Sequence, residues 1–311
     1  MDASAQRVAI SLCLMAAYAD GNNDDRERAA IDRLAQSLGN NDVAAIYQEV
    51  LLGKPDLNAL AAALTTPEEK RFAYEMAVGV CNADGATTQA ERDFLTQLAQ
   101  ALGLPATSAQ QFAQEAETVA TTPPTSNAIE GALVATVPSN DADLDRMILN
   151  YAILNGALEL LPQSLASMAI IPLQMRMVYR VGKAHGYELD SGHIKDLLAT
   201  LGVGLTSQYL EQFGRRLVGG LLGSIGGGLL GGLGSASTGA AFSFATTYAL
   251  GHVAKRYYAG GRKIDTAGLQ QAFSEMLGQA KQMQGKYAAQ IAEQARTLDF
   301  SKVMSAIRSQ T

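Results

Sequence analysis

The chain has 311 residues, enough for two domains with separate cores. It contains no tryptophan and only two cysteines, Cys13 and Cys81, which excludes a disulfide-framed scaffold and predicts two buried, reduced thiols. The first 122 residues hold 8 basic and 17 acidic residues, a net of -9 within a total of -6, so the remainder is near +3; a nucleic-acid partner is not expected of a domain without a basic face.

Runs of Val, Ile and Thr alternating with polar residues are scarce, so the predicted fold class is all-α. The chain opens without a basic, apolar, small-residue arrangement of the secretory kind, and a cytoplasmic start is expected. An apolar helix from about Gln6 is predicted to end at Asp20-Gly21, where glycine closes the helix in the left-handed conformation. A second helix opens at Asp24-Asp25-Arg26-Glu27 and ends at Gly39.

This unit then recurs. A shift of 64 positions lays Arg7 and Ala9 on Arg71 and Ala73, and Ala19-Asp20-Gly21 on Ala83-Asp84-Gly85. The same shift lays Glu27-Arg28 on Glu91-Arg92, and Leu34-Ala35-Gln36 with Leu38-Gly39 on Leu98-Ala99-Gln100 with Leu102-Gly103. No gap is needed, so the N-terminal bundle is a duplicated helix-loop-helix. The segment Thr88-Gln89-Ala90-Glu91 fits a capping box, as does Asp24 with Glu27.

Two readings of the acidic residues stand side by side. Asp20, Asp24, Glu27, Asp84 and Glu91 either converge on a hard divalent cation, calcium or magnesium, or merely cap their helices. The spacing is not that of an EF-hand, because glycine comes second and glutamate eighth in each loop. The pattern of apolar helix, Ala-Asp-Gly, Glu-Arg, apolar helix and Leu-Gly resembles the tellurite-resistance TerB family over about residues 5 to 118. That resemblance implies a compact acidic helical bundle, a link to stress response, and Asp20, Glu27, Asp84 and Glu91 as the positions of a metal site.

Thr121 to Asn127, with Pro123-Pro124, stops any helix, and Pro138-Ser139-Asn140-Asp141 is a second break. Residues 1–120 are therefore read as the acidic domain and 121–145 as a Pro/Ser/Thr-rich linker. Residues 146–262 follow as a glycine-rich helical domain, and 263–311 as an amphipathic C-terminal helical segment.

From Leu217 to Ala254 no Asp, Glu, Lys or Arg occurs, and the flanks are basic: Arg215 and Arg216 before, Lys255 and Arg256 after. Gly219, Gly223, Gly227 and Gly231 recur at every fourth position, placing four glycines on one helical face where another helix can approach closely. A membrane hairpin with both ends on the cytoplasmic side follows, its turn expected within Gly231–Gly239. The alternative is a buried helical hairpin in a soluble domain, with the glycine face used for packing within or between subunits. Gly226, Gly228 and Gly231 spell a nominal dinucleotide fingerprint, which is rejected because nothing beta-like precedes it. Upstream, Arg176, Arg180 and Lys183 share a helix face ending near Gly186, as dipole partners or as contacts for anionic headgroups.

This half resembles the YcjF-like membrane domains over about residues 150 to 258. The likeness is carried by Leu161-Pro162, Ile170-Ile171-Pro172-Leu173-Gln174-Met175-Arg176-Met177, Gly186-Tyr187, Gly202–Gly204 and Thr246-Thr247-Tyr248-Ala249-Leu250-Gly251. The resemblance implies association with membrane lipid at the cytoplasmic face of a bacterial inner membrane and a GTPase as protein partner. The chain itself has no Walker-type glycine loop. From Asp265 onward, Leu269, Phe273, Met276, Ala280, Met283, Tyr287, Ile291, Ala295 and Leu298 mark an amphipathic helix, docked on its own domain or used for homo-oligomer contact.

The three histidines, His185, His193 and His252, share no motif with either cysteine, and HExxH, CxxC and GxSxG are absent. The chain is expected not to be an enzyme. The function predicted is that of a membrane-associated cytoplasmic adaptor, with a soluble structural oligomer or a GTPase regulator as the alternatives.

Overall fold

The computed structural model describes residues 3–21, 41–53, 55–82, 87–121, 140–161, 168–201 and 231–299, together with Pro138 and Ala166. Among the described residues every regular element is an α-helix, as the composition predicts. The chain divides into two compact units, Met1–Ala120 with Gly204–Ser235 and Thr121–Val203 with Ala236–Thr311.

The first unit contains α1 (Ala3–Ala17), α2 (Asn41–Gly53), α3 (Leu57–Ala63), α4 (Pro67–Cys81), α5 (Gln89–Ala101) and α6 (Ala106–Thr121). The 64-residue shift carries α1 onto α4 residue for residue, end to end. These twin helices pack on one another and bury the same register: Ala9 with Ala73, Leu12 with Met76, Cys13 with Ala77, Leu14 with Val78 and Ala16 with Val80 are all buried. For this helix pair, duplication in sequence is duplication in packing. Cys13 and Cys81 are both free and buried, and burial pushes the Cys13 thiol far above its ordinary pKa.

Local signals fix the helix ends. Gly21 and Gly103 take φ of +74° and +67°, the left-handed conformation that closes a helix. After α5, Leu104 N–H donates to Ala99 O at 3.0 Å, completing the C-terminal cap. Thr66 caps α4 through a reciprocal pair with Glu69, and Pro67 occupies the first turn, where its missing N–H costs nothing. Gly39 and the helix opening at Asp24 lie outside the described residues.

The second unit contains α7 (Asp141–Glu159), α8 (Ile170–Ala184), α9 (Ser191–Thr200), α10 (Gly231–Ala259) from Ala236 onward, and α11 (Thr266–Thr297). Asn140 caps α7, its side chain accepting from Asp143 N–H at 2.9 Å, which places the helix start at the second predicted break. Ala152, Ile153 and Ala157 of α7, Ala240 and Phe244 of α10 and Ile291 of α11 form one core cluster. The amphipathic C-terminal segment is thus docked on its own unit.

One expectation is overturned here. Gly231–Gly239 is not a turn but the first stretch of the continuous helix α10. The small residues serve close helix packing instead: a methyl group at Gly239 would lie 2.9 Å from Glu159 Cγ, and one at Gly156 would lie 3.1 Å from Ala240 O. At Gly251 it would stand 2.5 Å from Ile148 Cγ2. No helix among the described residues is long and apolar enough to cross a membrane. Gly219, Gly223, Gly227, Arg215 and Arg216 lie outside the described residues, and Gly231 is the first residue of α10.

Candidate functional site: the clefts beside α6

Of the five acidic residues singled out by the repeat, Asp20 and Glu91 are described. Asp20 is exposed beside Gly21. Glu91 is nearly buried and closes the predicted capping box. Its Oε2 accepts from Thr88 N–H at 2.7 Å and from the Thr88 hydroxyl at 2.9 Å, while Thr88 Oγ1 accepts from Glu91 N–H at 3.3 Å. This carboxylate is engaged with its own helix terminus, the geometry of the capping reading. Thr87 Oγ1 donates to Asn82 Oδ1 at 3.1 Å, and Asn82 Nδ2 donates to Val78 O at 2.9 Å, so Thr87, ahead of α5, is tied to the end of α4. No three His, Cys, Asp or Glu among the described residues stand close enough together to hold a metal ion. Asp24, Glu27 and Asp84 lie outside the described residues.

Among the described residues, two clefts flank α6. A cleft of about 640 Å³ separates α6 from α4 and is lined by Lys70, Arg71, Tyr74, Leu102, Leu104 and Phe112, among others. A second, of about 410 Å³, separates α6 from α5 and is lined by Leu95, Ala99, Gln110, Ala113 and Gln114, among others. Tyr74 touches both. Its hydroxyl donates to Ala109 O at 3.1 Å, bracing α6 over the helices below. Burial is the main cause that pushes the phenol up to about 12, so it stays a neutral donor. Arg92 and Glu117 clip α6 to α5 at 2.9 Å.

The repeat explains why α6 stands off. In the first copy α2 packs on α1 and buries Ile46 and Val50. The shift of 64 lays these on Gln110 and Gln114, which are exposed and line the 410 Å³ cleft. Glutamine gains little from burial where isoleucine and valine gain about 1.5–3 kcal/mol each. Motif reading missed these residues; aligning the rest of the two copies, beyond the motif, carries the signal.

The basic residues expected at the membrane divide. Arg256 is exposed on α10, whereas Lys255 pairs with Asp141 at 2.8 Å and with Asp145 of α7. Burial pulls the Lys255 pKa down, and the hydrogen bonds from its ammonium to both carboxylates outweigh this and hold it above the ordinary lysine value. Arg176 is buried on α8, which leaves it no access to headgroups, while Lys183 sits in the last turn, where the dipole favours it.

The histidines are separate. His193 Nδ1 lies 2.8 Å from Asp190 Oδ1 at the start of α9, His185 Nδ1 lies 2.8 Å from Val181 O, and His252 rests on the Tyr248 ring at 4.3 Å. The buried polar centre of the second unit is Thr247, whose Oγ1 accepts from Asn155 Nδ2 at 2.9 Å and Gln174 Nε2 at 3.0 Å. All three residues are 0% exposed, so this knot ties α10 to α7 and α8.

These features define an all-helical protein whose N-terminal unit is a tandem duplication. Residues 2–116 match the model of a family described as protein of unknown function (DUF533), which is related to the TerB-like family. The match takes in both copies of the repeat and covers little over a third of the chain. No curated protein and no solved structure matches the chain. The likeness of residues 150–258 to YcjF-like domains finds no support in these comparisons.

Proposed function

We propose that the protein is a non-catalytic adaptor held at a membrane face, with the acidic N-terminal unit as its recognition module. The observation that carries the reading is the unequal charge along the chain, -9 over the first 122 residues and +3 over the remainder, with a boundary between its two compact units falling after Ala120. Membrane attachment is assigned to the charge-free residues Leu217–Leu230 behind Arg215 and Arg216, because α10 contributes Ala240 and Phe244 to a protein core. Interaction with lipid, with a protein partner such as a GTPase, and placement at the inner face of a bacterial membrane belong to this proposal. So does a calcium or magnesium ion at Asp20, Asp24, Glu27, Asp84 and Glu91. Calorimetric titration of the full chain with calcium and magnesium tests that part, and heat that persists unchanged in Asp20→Ala with Asp84→Ala removes it.

The membrane part is tested by alkaline carbonate extraction of the full chain and of a variant with Leu217–Leu230 replaced by a polar linker. The full chain is expected in the pellet and the variant in the supernatant. A second reading is favoured by Gly156, Gly239 and Gly251, whose lack of side chains lets α7 and α10 pack closely. It makes the chain a soluble structural protein, and the outcome that selects it is extraction of both forms.

A further inference from the structure

The two copies of the repeat differ in their ion pairs, and one of the differences points to a ligand. In the first copy Arg7 Nη2 lies 2.7 Å from Glu49 Oε2, joining α1 to α2. The shift of 64 lays Arg7 on Arg71 and Glu49 on Ala113. The second copy keeps the guanidinium and lacks the carboxylate. Arg71 makes no salt bridge among the described residues, and neither does its neighbour Lys70. Both line the 640 Å³ cleft between α4 and α6, with Tyr74, Leu102, Leu104 and Phe112 supplying apolar wall.

An exposed cation without a partner is ordinary on a protein surface. Here it lies within the first 122 residues, which carry 17 acids against 8 bases, and it borders a cleft within the size range of small-molecule sites. Glu75, which also lines the cleft, is the carboxylate that a ligand must tolerate. Guanidinium recognises carboxylate through paired donors, and the desolvating wall of a cleft strengthens such a contact.

We infer that the cleft between α4 and α6 binds a small carboxylate with an apolar body, its acid group on Arg71 and Lys70 in the role that Glu49 plays toward Arg7. The apolar body lies along Tyr74, Leu104 and Phe112. A carboxylate-bearing peptide would meet the same cations, but the volume is that of a small ligand.

The test is calorimetric titration of the full chain with 4-phenylbutyrate and with the uncharged 4-phenylbutanol. It needs no membrane and no partner protein, so its failure is distinct from failure of the adaptor reading. The acid is expected to bind at least tenfold more tightly than the alcohol, and Lys70→Gln with Arg71→Gln is expected to abolish that preference. Ser108→Glu, on the α6 wall of the same cleft, adds a competing carboxylate and is expected to weaken binding of the acid at least tenfold in a chain whose circular dichroism is unchanged. Equal binding of acid and alcohol overturns the inference, as does an acid affinity untouched by the Gln pair. Binding of an acidic peptide but not of the small acid also overturns it.

Discussion

Lys255 Nζ on α10 lies 2.8 Å from Asp141 Oδ2 at the first residue of α7, a contact across 114 positions of chain. The same ammonium reaches Asp145, and the lysine side chain is only 16% exposed. A residue whose neighbours suggest a lipid flank is therefore an internal clamp. Lys255→Met is expected to destabilise the second unit by about 1–2 kcal/mol, above the norm for a surface pair because two carboxylates lose their partner. Urea denaturation checks this, and Arg256→Met, on the exposed side, is expected to change little.

His252 stands beside that clamp, facing Asp145, Lys255, Asp141 and the Tyr248 ring. Burial lowers its pKa below 6.5, with Asp145 opposing. Its unfolded form then binds protons more readily than its folded form, so stability is full above about 6.5 and falls as pH drops toward the folded value. Melting temperature measured from pH 7.5 to 5 is expected to decline, and His252→Gln is expected to flatten the decline. Glu69, held low by the Thr66 backbone N–H, and Asp190, held low by that of His193, act only at more acidic pH.

Thr247→Val keeps the shape of its side chain and removes the oxygen that both Asn155 and Gln174 donate to. Two buried amide groups then lack a partner, and a loss of about 2–4 kcal/mol is expected. Thr246→Val, whose hydroxyl bonds only to its own helix, is the comparison and is expected to cost less.

Glycines in the second unit are expected to respond in opposite directions. Gly251→Ala forces a methyl group against Ile148 and Met177 and is expected to cost about 1–3 kcal/mol. Gly278 and Gly285 on α11 face open space, so alanine at either is expected to raise stability by up to about 1 kcal/mol through helix propensity. Thermal melts of the three single variants decide it.

Thr88→Ala removes the cap of α5 and is expected to cost ~1 kcal/mol. If Glu91 acts only in this cap, the cost is the same with and without added calcium, as denaturation in each condition will measure.

Much of the local structure was legible in the chain itself. Ala-Asp-Gly announces the end of α1 because only glycine takes φ near +74° without strain. Thr88 and Glu91 announce a capping box because the hydrogen bonds involved span three residues. The 64-residue shift announces that α1 and α4 are twins, since equal apolar registers seek equivalent burial.

Tertiary structure decided the rest. Glycine is compatible with a turn, a lipid-facing zipper or a close helix crossing, and only the positions of Glu159, Ile148 and Ala240 select the crossing for Gly239, Gly251 and Gly156. Lys255 carries the same charge whether it meets headgroups or Asp141, and the meeting depends on α7 and α10 lying together. The 410 Å³ cleft beside α6 is lined by Gln110 and Gln114 where the first copy has the buried Ile46 and Val50, so one helix of a duplicated pair packs down and the other stands away. Short-range hydrogen bonds and repeated registers are written in the order of residues; the partners of a glycine, a lysine or a glutamine are set by the helices that arrive from elsewhere in the chain.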